Sequence, residues 1–203
     1  MIALTDTTPP QKKFRATERV IGFMGRLDQK KGIHLFLPAL AALRKEGIPF
    51  KVLIGGVGPN EKERVQYIQE NGLEKHVTFL GWVDNKKTFF DSIDMLCVPS
   101  TVESFGIVIL EAWQEGVAVI GSTATGPAHL IEHDKTGWLF QRGDVEALTK
   151  TLKYVLQQPS KVLEAVSRES YQTLVTHYSR QKVMQALATI LEDGIITWKR
   201  FKN

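Results

Sequence analysis

The chain has 203 residues, 43% of them apolar and 24% charged, an ordinary globular mixture long enough for one sizeable domain or two small ones. No apolar run reaches membrane-spanning length, and 26 basic against 22 acidic residues leave a net charge of +4, compatible with small anions and too small to point to nucleic acid. A single cysteine excludes an intrachain disulfide framework and a cysteine-built zinc site, and Met1-Ile2-Ala3-Leu4-Thr5-Asp6 has no basic stretch leading into an apolar core, so no secretory signal is expected and the expected location is cytoplasmic.

Residues 1–18, with Thr7-Thr8-Pro9-Pro10 and a basic stretch after it, lack periodicity and read as a linker. From Arg19 short apolar runs begin: Val20–Met24, Phe50–Ile54, Val77–Leu80, Met95–Val98, Val117–Ile120 and a weaker Trp138–Phe140. They are continuous rather than alternating, the pattern of strands buried on both faces of a parallel sheet. Helical stripes lie between and after them: Leu37, Leu40, Ala41 and Leu43; Leu148, Leu152, Val155 and Leu156; Val183, Leu187, Ile190 and Leu191. Pro38 has to lie in the first turn or so of its helix, or kink it. The order is β-α repeated about six times and then two C-terminal helices. That predicts an α/β domain, a doubly wound parallel sheet of about six strands, with ligands at the carboxyl ends of the strands.

Two of those βα loops carry suitable chemistry. Gly25-Arg26-Leu27-Asp28-Gln29-Lys30-Lys31-Gly32 follows the first strand; Arg26 and Lys31 either clamp a phosphate or diphosphate or are two solvated cations on a surface loop. The second loop runs from Ser100 to Glu111 after the Met95–Val98 strand. Ser104 is the expected N-cap of a helix starting near Phe105, so that the amides of Phe105, Gly106 and Ile107 and the helix dipole form an anion site. Glu111 shares a helix face with Ile107, about 6–8 Å further along, within reach of a ribose attached to that anion. Glu103 precedes the helix and would face a group on the other side, such as a sugar. Spacing alone leaves Glu103 equally readable as a loop carboxylate and Glu111 as a partner for a nearby Lys or Arg.

Taken together these pieces resemble the C-terminal, donor-binding domain of a GT-B glycosyltransferase of retaining family 4, the glycosyl transferases group 1. The resemblance rests on Gly25-Arg26…Lys31-Gly32, Gly56-Val57-Gly58-Pro59, Val77-Thr78-Phe79-Leu80-Gly81, Val98-Pro99-Ser100…Glu103-Ser104-Phe105-Gly106…Glu111-Ala112 and Lys135-Thr136-Gly137-Trp138-Leu139-Phe140, in order across roughly residues 19–192. Glu103 and Glu111 form the family's E-x7-E element. The resemblance implies a Rossmann-like fold and transfer of a sugar from a nucleoside-diphosphate sugar with retention of configuration, without metal or other cofactor. It implies catalytic roles for Arg26, Lys31 and Glu103, the first two on the diphosphate and Glu103 on the donor sugar. It assigns donor binding to Gly25, the Ser104-Phe105-Gly106-Ile107 backbone and Glu111, with the base packed near Gly81-Trp82-Val83. Residues 19–178 would be the nucleotide-sugar domain and 179–203 a helix packing on an N-terminal acceptor-binding domain absent from this chain. The chain then reads as half of an enzyme, expected to be inactive alone; the alternative is a non-catalytic nucleotide-binding or assembly module that keeps the fold.

There are departures from the family pattern. Thr125-Gly126-Pro127-Ala128-His129 stands where the family has Gly-Gly-x-Pro-Glu, Ala118 replaces a common proline, and Trp113-Gln114 replaces smaller residues. His34, His76, His133 and His177 lack metal-ligand spacing, Cys97 reads as a core residue, Gly55–Pro59 as a bare turn, and Lys12-Lys13 and Lys86-Lys87 as solvated. The aromatic and basic tail Ile195–Lys202 is expected to pack on the other domain; peripheral contact with a membrane is the alternative.

Overall fold

The computed structural model describes the backbone of residues 10–201 and the side chains of residues 10–191. Six strands, β1 (Arg19–Met24), β2 (Phe50–Gly55), β3 (Val77–Gly81), β4 (Met95–Val98), β5 (Ala118–Ser122) and β6 (Trp138–Phe140), form one parallel sheet in the order β3-β2-β1-β4-β5-β6. The helices are α1 (Ile33–Lys45), α2 (Glu61–Glu70), α3 (Lys86–Ser92), α4 (Ile107–Gln114), α5 (Thr125–Leu130), α6 (Val145–Leu156), α7 (Ser160–Thr173) and, after a π-helical turn at Leu174–Tyr178, α8 (Arg180–Phe201).

The unbroken apolar runs have the cause expected of them. Along β4, Met95 and Cys97 join the core beneath α1 and α6, whereas Leu96 and Val98 join the core beneath α3 and α4. A strand covered on both faces has no polar position to alternate with. Pro38 lies inside α1 past its first turn, so the helix continues without the amide bond that position 38 would give to His34. The helix α7 was not among the expected stripes; it buries Leu163, Val166 and Tyr171 but sets Ser167 and Ser170 on the same buried face. Those hydroxyls are satisfied by backbone carbonyls, Ser167 bonding to Gly116 at 2.7 Å.

Residues 10–18, expected as linker, hold no helix or strand but are fastened to the amino edge of the sheet. Phe14 is buried, Lys12 Nζ donates to the Phe90 carbonyl at 2.7 Å, and the fully buried Asp94 carboxylate accepts from the Arg15 and Val20 amides and the Arg15 guanidinium at 2.8–3.0 Å. Buried Arg19 donates to the carbonyls of Val155, Leu156 and Gln158 at the end of α6. The side chains of Ile195–Lys202, and residues 1–9, lie outside the described residues.

In this strand order the chain reverses direction across the sheet between β1 and β4. A doubly wound sheet leaves a crevice at that reversal, beyond the carboxyl ends of the two strands.

Candidate functional site

A cavity of about 1070 Å³ occupies that crevice. Its floor is the ends of β1 and β4, Met24-Gly25 and Val98-Pro99-Ser100, and its walls come from the loops after β1, β2, β3 and β4.

The loops are locked to each other by their backbones. Gly25 N donates to Gly55 O and Leu27 N to Val57 O, both at 3.0 Å, and Gly56 N donates to Gly81 O at 2.6 Å. Gly56 has φ +137°, and a Cβ there would stand 1.8 Å from the Gly25 carbonyl oxygen, so only glycine lets the first two loops touch. Arg64, on α2, is buried beneath the pair and donates to the carbonyls of Leu27, Pro59 and Gly58. Burial pushes its guanidinium pKa down from the ordinary value, although an arginine stays charged. Asp28 orders the β1 loop from within, accepting from Lys31 N at 3.0 Å and pairing with Arg26 Nε at 3.3 Å. The turn Gly55–Pro59, expected as a bare turn, is thus a wall of the cavity.

The β4 loop is held from both sides. Thr101 N and Val102 N donate to Lys30 O at 2.8 and 3.1 Å, and Gly126 N donates to Glu103 O at 2.8 Å. The unusual segment Thr125–His129 therefore backs the Glu103 loop, and its helix α5 starts after Ala124 without a side-chain cap. His129 is exposed and is not part of the cavity lining.

One expectation is corrected here. The N-cap of α4 is Gly106, not Ser104, and the helix begins at Ile107 rather than near Phe105. Gly106 sits in the left-handed region (φ 89°, ψ 48°), which turns the chain into the helix where a serine cap would need extended backbone. The first-turn amides are those of Ile107 and the residues after it. A helix start leaves such amides without intrahelical partners, and Gly106, Ile107 and Val108 line the cavity.

Every candidate residue borders this one cavity: Gly25, Arg26, Lys31, Val83, Glu103, Ser104, Phe105, Gly106, Ile107 and Glu111. Lys31 Nζ contacts Glu103 Oε2 at 2.5 Å, and Lys86 Nζ contacts Glu111 Oε1 at 2.6 Å. Glu111 thus has the basic partner that spacing left open, Glu103 has one that the sequence reading did not foresee, and both pairs stand inside the cavity. Lys86, expected as solvated, is the ionic residue that sequence reasoning missed; its partner is 25 positions away, on another helix. Lys87 points elsewhere, to Asp91 at 2.9 Å, which holds its pKa above the ordinary value. Trp82 is 72% exposed at the rim, and Val83 packs behind Gly55. Among the described residues, no group of three His, Cys, Asp or Glu side chains is arranged to hold a metal ion, and no helix is long and apolar enough to cross a membrane.

Chemically, the cavity offers three cations, Arg26, Lys31 and Lys86, and a helix start beside two carboxylates. It suits a ligand with an anionic centre and hydroxyl groups on either side.

Comparison with known proteins gives the family. Residues 5–194 match the family described as glycosyl transferases group 1. Lipopolysaccharide core biosynthesis glycosyltransferase LpsE of Rhizobium meliloti is 27% identical over 172 residues, 85% of this chain and 49% of LpsE. Phosphatidyl-myo-inositol mannosyltransferase of Mycobacterium leprae is 31% identical over 187 residues, 87% of this chain and 48% of that protein. The chain spans about half the length of the curated relatives it matches. Among solved structures, HepE of Anabaena in complex with UDP and glucose superposes with a TM-score of 0.77 at 26% identity, covering 88% of this chain and 49% of HepE. The C-terminal domain of a glycosyl transferase group 1 family protein (LpcC) from Francisella tularensis shares the fold, with a TM-score of 0.72 at 24% identity over 81% of this chain and 88% of that one. With a match across nearly all of its length and the six-stranded Rossmann-like sheet of a GT-B C-terminal domain, this chain belongs to the glycosyl transferases group 1 family.

Proposed function

We propose that the chain is the donor-binding domain of a retaining glycosyltransferase and binds a nucleoside-diphosphate sugar in the crevice between β1 and β4. The observation that carries this reading is the gathering of Arg26, Lys31, the α4 start, Glu103 and Glu111 around one cavity. HepE, whose structure superposes on this chain, was solved with UDP and glucose, which supports a nucleotide sugar as the ligand class.

In this reading the diphosphate lies against Arg26, Lys31 and the first amides of α4. Glu111 accepts hydrogen bonds from the ribose hydroxyls, and Glu103 accepts from hydroxyls of the donor sugar. The base rests near Val83. As the sugar–phosphate bond breaks, negative charge grows on the leaving diphosphate, and the two cations and the helix start stabilise it without a metal ion. On a front-face route the acceptor oxygen bonds to the anomeric carbon on the side from which the diphosphate departs, so the sugar keeps its configuration, and the leaving phosphate takes the acceptor proton. The acceptor is supplied by a second domain, and the chain alone binds the nucleotide but transfers nothing.

Calorimetry of the 203-residue chain with UDP, GDP and ADP tests the reading. One of them is expected to bind, and Lys31→Ala is expected to lose about 1.5–3 kcal/mol of that binding, the range for a hydrogen bond to a charged group. Equal affinity in the two proteins refutes the role of Lys31.

A further inference from the structure

We propose that Lys86 is a positioning residue that sets Glu111 for the ribose, and so makes this cavity select ribonucleotides over deoxyribonucleotides. The inference rests on the donor-site reading above and adds to it a specificity determinant from outside the two βα loops.

Lys86 is the first residue of α3, and the turn that carries it is pinned by Asn85, whose side chain accepts from Thr88 N at 3.0 Å. From that fixed start its ammonium, in the cavity lining, reaches Glu111 Oε1 at 2.6 Å. Its neighbour Lys87 reaches Glu115, at the C-terminal cap of α4, at 3.7 Å. The two lysines therefore meet two acids four residues apart, which brings the start of α3 alongside α4. Only the first pair borders the cavity.

Glu111 is 23% exposed in its side chain, and its contact with Lys86 engages Oε1. The other oxygen, and the unused lone pairs of both, remain for ligand hydroxyls, since an ionised carboxylate accepts at several sites. A carboxylate anchored through one oxygen presents the other in a fixed direction, and a fixed acceptor discriminates against a ligand lacking the hydroxyl more sharply than a mobile one. Lys86 is half exposed, so its replacement disturbs no core contact.

The test is calorimetric, on the full chain, with UDP, GDP and ADP and their 2′-deoxy counterparts. Wild type is expected to bind the ribonucleotide at least about tenfold more tightly. Lys86→Met is expected to shrink that ratio severalfold, Lys86→Arg to restore most of it, and Lys87→Met to leave it as in wild type. If wild type discriminates and Lys86→Met discriminates equally, or weakens both nucleotides by the same factor, the positioning role is overturned while the donor-site reading stands. If wild type binds nucleotide without discriminating, the assignment of Glu111 to the ribose fails and this inference falls with it.

Discussion

Lys31 Nζ lies 2.5 Å from Glu103 Oε2, so the cation assigned to the diphosphate and the acid assigned to the sugar hold each other. An incoming diphosphate has to share Lys31 with Glu103 and also tolerate the charge of that carboxylate. Glu103→Gln removes the charge and keeps the shape. The variant is expected to bind a nucleoside diphosphate more tightly by about 0.5–1 kcal/mol, the scale of a partly exposed charge interaction, or roughly two- to fivefold. The gain is expected to fade at high salt, because the repulsion it removes is screened. Titration of wild type and variant at two ionic strengths checks this; a weaker complex in the variant contradicts it.

The contact between the first two βα loops makes a separate prediction at Gly56. Alanine there would carry a φ of +137° and press its Cβ to 1.8 Å from the Gly25 oxygen. Backbone strain and overpacking each contribute about 1–3 kcal/mol. Gly56→Ala is expected to lose about 2–6 kcal/mol in urea denaturation and to lose nucleotide binding. Gly47→Ala also has a positive φ (71°), but a Cβ there meets nothing within 4 Å, so it reports strain alone and is expected to cost less.

Much of this architecture is legible in the amino-acid order, and the reason is physical. A strand covered on both faces must be apolar throughout, so β4 is found to the residue and β1 to within one. The carboxyl ends of such strands then identify the loops of interest before any side chain is located. Three kinds of feature stay hidden. The start of α4 depends on a left-handed Gly106, and Ser104 is an equally good cap on paper. The ion pairs join Lys31 to Glu103 across 72 positions and Lys86 to Glu111 across 25, distances over which local spacing says nothing. The helix α7 is one of the two expected C-terminal helices, but its buried face is obscured because Ser167 and Ser170, both buried and bonded, interrupt its apolar stripe.

Cys97, at the centre of the sheet on β4, is 1% exposed, and burial drives its thiol pKa far up. The thiolate is the reactive species, so the native protein is expected to be inert to a thiol reagent and to react fully once unfolded in denaturant. Rapid labelling of the native chain would mean that β4 opens on the timescale of the assay.

Lys12 makes stability depend on pH in the alkaline range. Burial lowers its folded-state pKa below the ordinary 10.5, against the opposing pull of Asp94, Asp91 and Glu115. Between the lowered value and 10.5 the unfolded chain therefore binds more protons than the folded one, and stability contributed at this site rises as pH rises. The charged lysine is least favourable below its folded pKa, where it is fully protonated in both states. Lys12→Met has no such titration. The stability difference between wild type and Lys12→Met is thus expected to move in favour of the wild type as pH is raised toward 10.5, whichever protein is the more stable at neutral pH. Tyr67 and Tyr178, whose pKa values burial raises above 10.0, act oppositely as pH passes 10 but are common to both proteins and cancel in the difference. Urea denaturation of the pair at several pH values reads this directly, and a difference that is flat or moves the other way removes Lys12 as a half-buried cation that opposes folding.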